Sequence, residues 1–119
     1  MFSTNKKKYK LFNEDALSLL SRLPNSSIDL ILTDPPYNIA LNSTGNIKLT
    51  NGKTINNDIA EWDKYSINPL DYVKDFKRVI SPKGNIFIFT SYSLLGKWHE
   101  AFDKEFKTFQ IFVWHKTTP

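Results

Sequence analysis

A parallel α/β sheet is the fold this sequence predicts, and three observations carry the prediction. Residues 27–33, Ser-Ile-Asp-Leu-Ile-Leu-Thr, form a short apolar run between Asn25-Ser26 and Pro35-Pro36, which suits a strand covered on both faces. A second such run, residues 85–90, follows a stretch whose apolar residues recur at helical spacing, so strand and helix periods alternate. The chain has 119 residues, is 40% hydrophobic, and holds three Trp, five Tyr and nine Phe, which is enough for one domain with a folded core.

In chain order the first element is a short strand over residues 9–13. Residues 15–23 carry Ala16, Leu17, Leu19, Leu20 and Leu23 at helical spacing, and Pro24 stops that helix. Asp15 stands at its N-cap, where a carboxylate accepts an N–H bond of the first turn. After the strand at 27–33 comes a polar stretch, residues 38–68, rich in Asn, Thr, Ser and Lys and containing Gly45 and Gly52. A structureless connection of that length is unusual, so it reads as a binding loop or a disordered linker. Residues 69–80 form an amphipathic helix, with Asn68 as cap and Pro69 in the first turn. Ser81-Pro82-Lys83-Gly84 closes it, with Gly84 as a turn glycine. Residues 85–90 are a buried strand ending at Ser91-Tyr92, on the same sheet edge as residue 34. A helix over 93–106 and a last strand over 108–114 complete about four strands with flanking helices.

The segment that carries chemistry is Asp34-Pro35-Pro36-Tyr37, directly after the apolar strand. In open α/β sheets ligands bind beyond the carboxyl ends of the strands, which is where Asp34 falls. Two successive prolines fix two φ angles and donate no N–H, so the turn is stiff and its carbonyls are free to accept. A carboxylate and a neighbouring carbonyl can hold both hydrogens of one NH₂ group. Tyr37 adds a flat face on which a base can stack, a contact worth roughly 1–3 kcal/mol in nucleic-acid sites. The set fits an exocyclic amine of adenine or cytosine taken out of its helix. Read as local structure alone, the same four residues are an ordinary turn.

Composition narrows the alternatives. There is no apolar run near 18 residues and no apolar segment behind the N-terminal lysines, so neither a membrane span nor a signal peptide is expected, and the expected location is the cytoplasm. Without cysteine there are no disulfides or thiolate zinc sites, and His99 and His115 stand too far apart to suggest a metal centre. The net charge of +4 comes from Lys6, Lys7, Lys8 and Lys10, since the remaining basic and acidic residues balance. Such a run is either a solvated tail or a contact for phosphates.

The tetrapeptide resembles the catalytic motif of the amino-methylating DNA methyltransferases, which move a methyl group from S-adenosylmethionine to adenine N6 or cytosine N4. The wider stretch from Leu11-Phe12-Asn13-Glu14-Asp15 through Thr33-Asp34-Pro35-Pro36-Tyr37-Asn38 resembles the opening of the class in which this motif precedes the main cofactor motif. Arg78-Val79-Ile80-Ser81-Pro82-Lys83-Gly84-Asn85 and Val113-Trp114-His115-Lys116 also read like stretches of that family. The resemblance implies a Rossmann-like methyltransferase sheet, Asp34, Pro35, Pro36 and Tyr37 as catalytic residues, and Asp15 and Asp34 beside the cofactor. Asp15 as a helix cap is compatible with that role. In similar enzymes a mobile loop closes on DNA in the region of residues 38–68, with a Trp-Asp step like Trp62-Asp63. Adenine is the favoured base, because the cytosine enzymes more often carry Ser at the position of Asp34, and cytosine N4 is the alternative.

One part of the family pattern is missing. The methionine end of the cofactor needs a glycine-bearing strand-to-turn segment, and the four glycines at 45, 52, 84 and 96 do not form one. The family's sheet order also places two strands between residues 9–13 and residues 28–33 that this sequence does not supply. The expectation is therefore the N-terminal portion of one catalytic domain, spanning 1–119, from a longer enzyme or one half of a split one. Its partners would be DNA and either a complementary C-terminal half or a restriction endonuclease, with no membrane. A non-catalytic fragment, or a nucleic-acid-binding module using the lysine run, is the reading from a different class.

Overall fold

The computed structural model describes residues 8–38, 46–56, 66–115 and 117. Its elements are helix α1 (Ala16–Arg22), strands β1 (Ile28–Thr33), β2 (Asn46–Lys48) and β3 (Thr54–Asn56), helix α2 (Pro69–Val79), strand β4 (Ile80–Ile88) and helix α3 (Tyr92–Asp103). β1 and β4 pair in parallel, with Ile31 beside Ile86 and Thr33 beside Ile88. Their connection runs through α2, as a parallel pair requires.

The helix starts follow from their caps. Asp15 accepts the Ser18 N–H at 3.1 Å, and Asn68 accepts that of Leu70 at 3.3 Å with Pro69 next in line. All three helices lie on one face of the β1–β4 sheet. Leu20 of α1, Val73, Phe76 and Val79 of α2, and Leu94, Trp98, Ala101 and Phe102 of α3 form one buried cluster, and Ile28, Ile31, Ile86 and Ile88 pack against it. Arg78 ties α1 to α2: its guanidinium donates to the carbonyls of Leu20 at 2.6 Å and Leu23 at 2.7 Å while Asp75 holds it at 3.0 Å. It thereby caps the end of α1, giving the Leu20 carbonyl a second donor beside the Leu23 N–H at 3.1 Å and bonding the Leu23 carbonyl as well.

The sheet is narrower than the sequence predicts. Residues 9–13 and 108–114 are irregular, and Tyr9, Leu11, Phe112, Val113 and Trp114 are exposed. Their β-type residues fit a strand, but a strand is stabilised by its cross-strand neighbours and by a covered face. A right-handed crossover through α1 would place residues 9–13 on the side of β1 away from β4, and no strand pairing among the described residues includes them.

The stretch 38–68 is not structureless. β2 and β3 form an antiparallel hairpin with Ile47 opposite Ile55. Its turn is Thr50-Asn51-Gly52, closed by the Gly52 N–H to the Leu49 carbonyl at 3.0 Å and the Leu49 N–H to the Lys53 carbonyl at 2.8 Å. Gly52 has φ +78°, the left-handed residue that a three-residue hairpin loop takes. Trp62-Asp63 and Lys6-Lys7 lie outside the described residues.

β4 begins earlier than expected. Ile80 already pairs with Ile28, and a register shift carries the next residues outward before Asn85 meets Leu30. Gly84 lies in β4, and close approach selects it: a Cβ there would stand 2.6 Å from Ile80 Cγ1 and 3.1 Å from the Asp29 carbonyl. No helix among the described residues is long and apolar enough to cross a membrane.

Candidate active site

Asp34 begins the turn at the carboxyl end of β1, and the Phe89 N–H to the Thr33 carbonyl, at 2.9 Å, holds that end against the segment after β4. The turn folds Tyr37 back onto Asp34, so that the Tyr37 hydroxyl donates to Asp34 Oδ1 at 2.6 Å. This hydrogen bond, with burial and the Asp34 charge adding to it, pushes the Tyr37 phenol up to about 12. Asp34 is exposed, and its Oδ2 accepts no hydrogen bond among the described residues, so one carboxylate oxygen faces outward without a partner.

Two neighbours fix the turn. Ser91 is buried just before α3, and its Oγ donates to the Tyr37 carbonyl at 3.3 Å while sharing a 2.8 Å hydrogen bond with Ser93 Oγ. Asn38 has φ +59°, a left-handed conformation that Asn adopts more readily than most residues. Its side-chain amide bonds both ways to the backbone of Ile67: Nδ2 donates to the carbonyl at 3.0 Å, and Oδ1 accepts the N–H at 2.9 Å. One residue thus joins the start of the polar stretch to its end.

Beneath the turn lies a cavity of about 270 Å³ between the sheet and the helices, with Ala16, Leu20, Ile31, Thr33, Pro35, Pro36, Tyr72, Phe76 and Trp98 around it. Three of its walls are aromatic, with the Tyr72 ring 6.1 Å from that of Phe76 and 6.4 Å from that of Trp98. Trp98 is 3% exposed, and its indole N–H has no acceptor among the described residues. A buried donor left unanswered costs about 1–3 kcal/mol, so this atom marks a place where an acceptor would be welcome. Asp15 directly precedes Ala16, a lining residue. Burial raises the Tyr72 phenol above its ordinary range, and the charges of Asp15 and then Asp71 add to the rise.

The structure therefore places the predicted residues around one feature without merging them. Pro35 and Pro36 line the cavity, Asp34 and Tyr37 stand outside it on the same turn, and Asp15 caps α1 one residue before the lining residue Ala16. No hydrogen bond joins Asp15 to Asp34 among the described residues; the Asp15 carboxylate caps α1. Tyr92, on the same sheet edge, is 94% exposed, and its neighbour Ser91 makes the contact with the turn. Sequence reasoning missed Asn38, Ser91 and the aromatic trio. The αL preference of an Asn after a stiff turn is the only one of these with a local signal. Among the described residues no cluster of His, Asp and Glu could hold a metal ion.

A family model described as DNA methylase matches residues 28–119. The Type II methyltransferase M2.DpnII of Streptococcus pneumoniae is 30% identical over 97% of this chain and 44% of its own length. M.HinfI of Haemophilus influenzae is 29% identical over 88% of the chain and 31% of its own length. M2.LlaDCHI of Lactococcus lactis subsp. cremoris is 30% identical over 92% and 42% respectively. The chain thus spans less than half the length of these curated relatives.

Proposed function

Since the chain belongs to the DNA methylase family, we propose that its Asp34 turn holds the exocyclic amine of a flipped DNA base, adenine above all, for methylation within a restriction–modification system. The observation that carries this reading is the outward-facing Asp34 carboxylate on a Pro-Pro turn at the carboxyl end of a parallel strand, with an aromatic ring beside it.

The amine of adenine is a weak nucleophile because its lone pair is delocalised into the ring. Hydrogen bonds from its two hydrogens to Asp34 and to the Pro35 carbonyl favour a more pyramidal nitrogen and localise that pair. Asp34 is an orienting acceptor, and holding the nitrogen in one direction supplies much of the acceleration. As the nitrogen gains a substituent its proton becomes acidic, and Asp34 or water takes it. Tyr37 supplies the face on which the ring lies, once its hydroxyl turns away from Asp34 or the amine engages the free Oδ2.

S-Adenosylmethionine supplies, when bound, an electrophilic methyl group on sulfur. The residues present fit its ring end. A cavity walled by Tyr72, Phe76 and Trp98 suits a flat purine ring, and Asp15, one residue before the lining residue Ala16, is the nearest carboxylate in sequence to accept donors on the ring or sugar. At about 270 Å³ the cavity falls just below the ~300–1,000 Å³ of pockets for drug-sized ligands, so it seats a part of the molecule. The glycine segment for the methionine end is not among this chain's residues.

Transfer of a tritiated methyl group to DNA, followed by mass spectrometry of the nucleosides, tests the reading. N6-methyladenine is expected, with Asp34→Ala lowering the rate by about 10²–10³ or more, as for loss of one preorganised polar contact. N4-methylcytosine would reassign the base, and a wild-type rate from Asp34→Ala would overturn the role of the turn.

A further inference from the structure

Ser91 stands at the N-cap of α3, yet its side chain makes no capping hydrogen bond. Serine is favoured at that position because its oxygen accepts an N–H of the first turn. Here the hydroxyl, in a residue 9% exposed, bonds instead to the Tyr37 carbonyl at 3.3 Å. A carbonyl can only accept, so the one hydrogen of Ser91 Oγ goes to Tyr37, and the 2.8 Å contact with Ser93 Oγ is filled by the Ser93 hydrogen. The hydrogen-bond chain therefore runs in one direction, from Ser93 to Ser91 to Tyr37.

The turn that carries Asp34 needs support from outside. Pro35 and Pro36 offer no N–H, and among the described residues no backbone hydrogen bond closes residues 34–37 from within. The segment leading into α3 holds both of its ends, through the Phe89 N–H on the Thr33 carbonyl at 2.9 Å and the Ser91 hydroxyl on the Tyr37 carbonyl. α3 also carries Trp98, about two turns after Ser91, in the wall of the cavity that Pro35 and Pro36 line as well.

We propose that Ser91, oriented by Ser93, is a positioning residue for methyl transfer: through the Tyr37 carbonyl it sets the Tyr37 ring and the Asp34 carboxylate relative to the cavity. A misplacement of ~1 Å between reacting groups costs about 10²-fold in rate. A helix that supports both the turn and one wall of the cavity keeps the amine and the methyl donor in register. The hydroxyl that would ordinarily cap α3 is given over to this task. The inference rests on the methyltransferase reading above.

The experiment uses the whole chain and two readouts. The first is the phenolate titration of Tyr37 without DNA or S-adenosylmethionine, each variant read against the same variant carrying Tyr37→Phe. Ser91→Ala should bring the transition down from about 12 toward 10.0, because the Tyr37 hydroxyl is no longer held on Asp34, and Ser93→Ala should bring it part of the way. Ser93→Thr keeps the hydroxyl at an exposed position and should match wild type. Arg78→Met, which loosens α1 from α2 without touching the turn, should leave the transition in place. The second readout is tritiated methyl transfer to DNA, in which Ser91→Ala should lower kcat about 10–10²-fold and leave KM for DNA within about twofold. Ser91 makes no capping bond, so Ser91→Ala should keep α3, which circular dichroism checks; the exposed Ser93→Ala carries the same test if it does not. An unmoved Tyr37 transition in the alanine variants, an equal movement in Arg78→Met, or a wild-type kcat would overturn the proposal. A moved transition in a chain whose wild type methylates no DNA would sustain the tie between Ser91 and the turn and count against the functional reading.

Discussion

The hydroxyl of Tyr37 donates to Asp34 Oδ1 across 2.6 Å, so the residue expected to stack on a base is also hydrogen-bonded to the residue expected to hold its amine. In the proposed reading, an amine that takes Oδ1 exchanges one hydrogen bond on Asp34 for another and releases the ring of Tyr37 to move. The neutral phenol is the bonded form, which is why its pKa rises from 10.0 to about 12. The raised value gives the folded state its advantage below pH ~10, and that advantage is lost as pH climbs through about 12. A phenolate absorbance titration, read as the difference between wild type and Tyr37→Phe, should therefore show the late transition, and Asp34→Asn should bring it down toward the ordinary value. In methyl transfer Tyr37→Phe should keep most of the activity, because the stacking face survives and Asp34 Oδ1 is freed.

Arg78 ties α1 to α2 through several hydrogen bonds. Besides the carbonyls of Leu20 and Leu23, it reaches Asn25 Oδ1 at 3.1 Å, and its own carbonyl accepts the Ser26 N–H at 2.9 Å. Arg78→Met keeps much of the apolar stem and removes the planar donors, leaving the Leu20 carbonyl with the Leu23 N–H alone and the Leu23 carbonyl without the guanidinium. Hydrogen bonds to charged groups contribute about 1.5–3 kcal/mol, and a loss of that size in urea unfolding is expected. Arg78→Lys should recover only part of it, since one ammonium cannot span both carbonyls and Asp75.

Gly84 leaves no space for a methyl group. A Cβ would meet Ile80 Cγ1 at 2.6 Å and the backbone oxygen of Asp29 at 3.1 Å, and Ile80 is itself buried. Gly84→Ala must push Ile80 into the core or part β4 from β1 where Ile28 and Leu30 pair. Overpacking of this kind costs about 1–3 kcal/mol, and the thermal midpoint should fall accordingly. Gly84→Ala combined with Ile80→Val, which removes one of the obstructing methyl groups, should recover part of the loss.

Local signals read well and non-local ones did not. Asp15, Asn68-Pro69 and the Pro-Pro turn carry their conformations in one or two residues, so both capped helices and the position of Asp34 were legible. The Asn51-Gly52 pair was an equally local hairpin signal within a stretch whose polar composition suggested a plain loop. The strands at 9–13 and 108–114 were misjudged for another reason: their residues favour β structure, but a strand depends on partners that periodicity does not report. The cavity was out of reach as well, because Ala16, Pro35, Tyr72 and Trp98 come from four separate segments. Gly84 was recognised as special, yet the reason is Ile80 across a bulge.

Asn38 gives the last prediction, and its reach is also non-local. Its amide reproduces the paired N–H and C=O of a neighbouring strand and so joins the backbone of Ile67, 29 residues on, to the end of the Asp34 turn. Ile67 in turn packs against the core beside the cap of α2. The polar stretch that contains the hairpin is therefore pinned at both ends. Asn38→Ala would lose both hydrogen bonds and place an Ala at φ +59°, which costs a further ~1–2 kcal/mol. Limited trypsin digestion should then cut at Lys48 and Lys53 several-fold faster, with the far-ultraviolet spectrum little changed. Asn38→Asp separates the two effects: it tolerates the left-handed backbone and keeps the acceptor for the Ile67 N–H, but loses the donor. An intermediate cleavage rate is expected for it, and a rate equal to wild type for both variants would show that the amide does not hold the stretch in place.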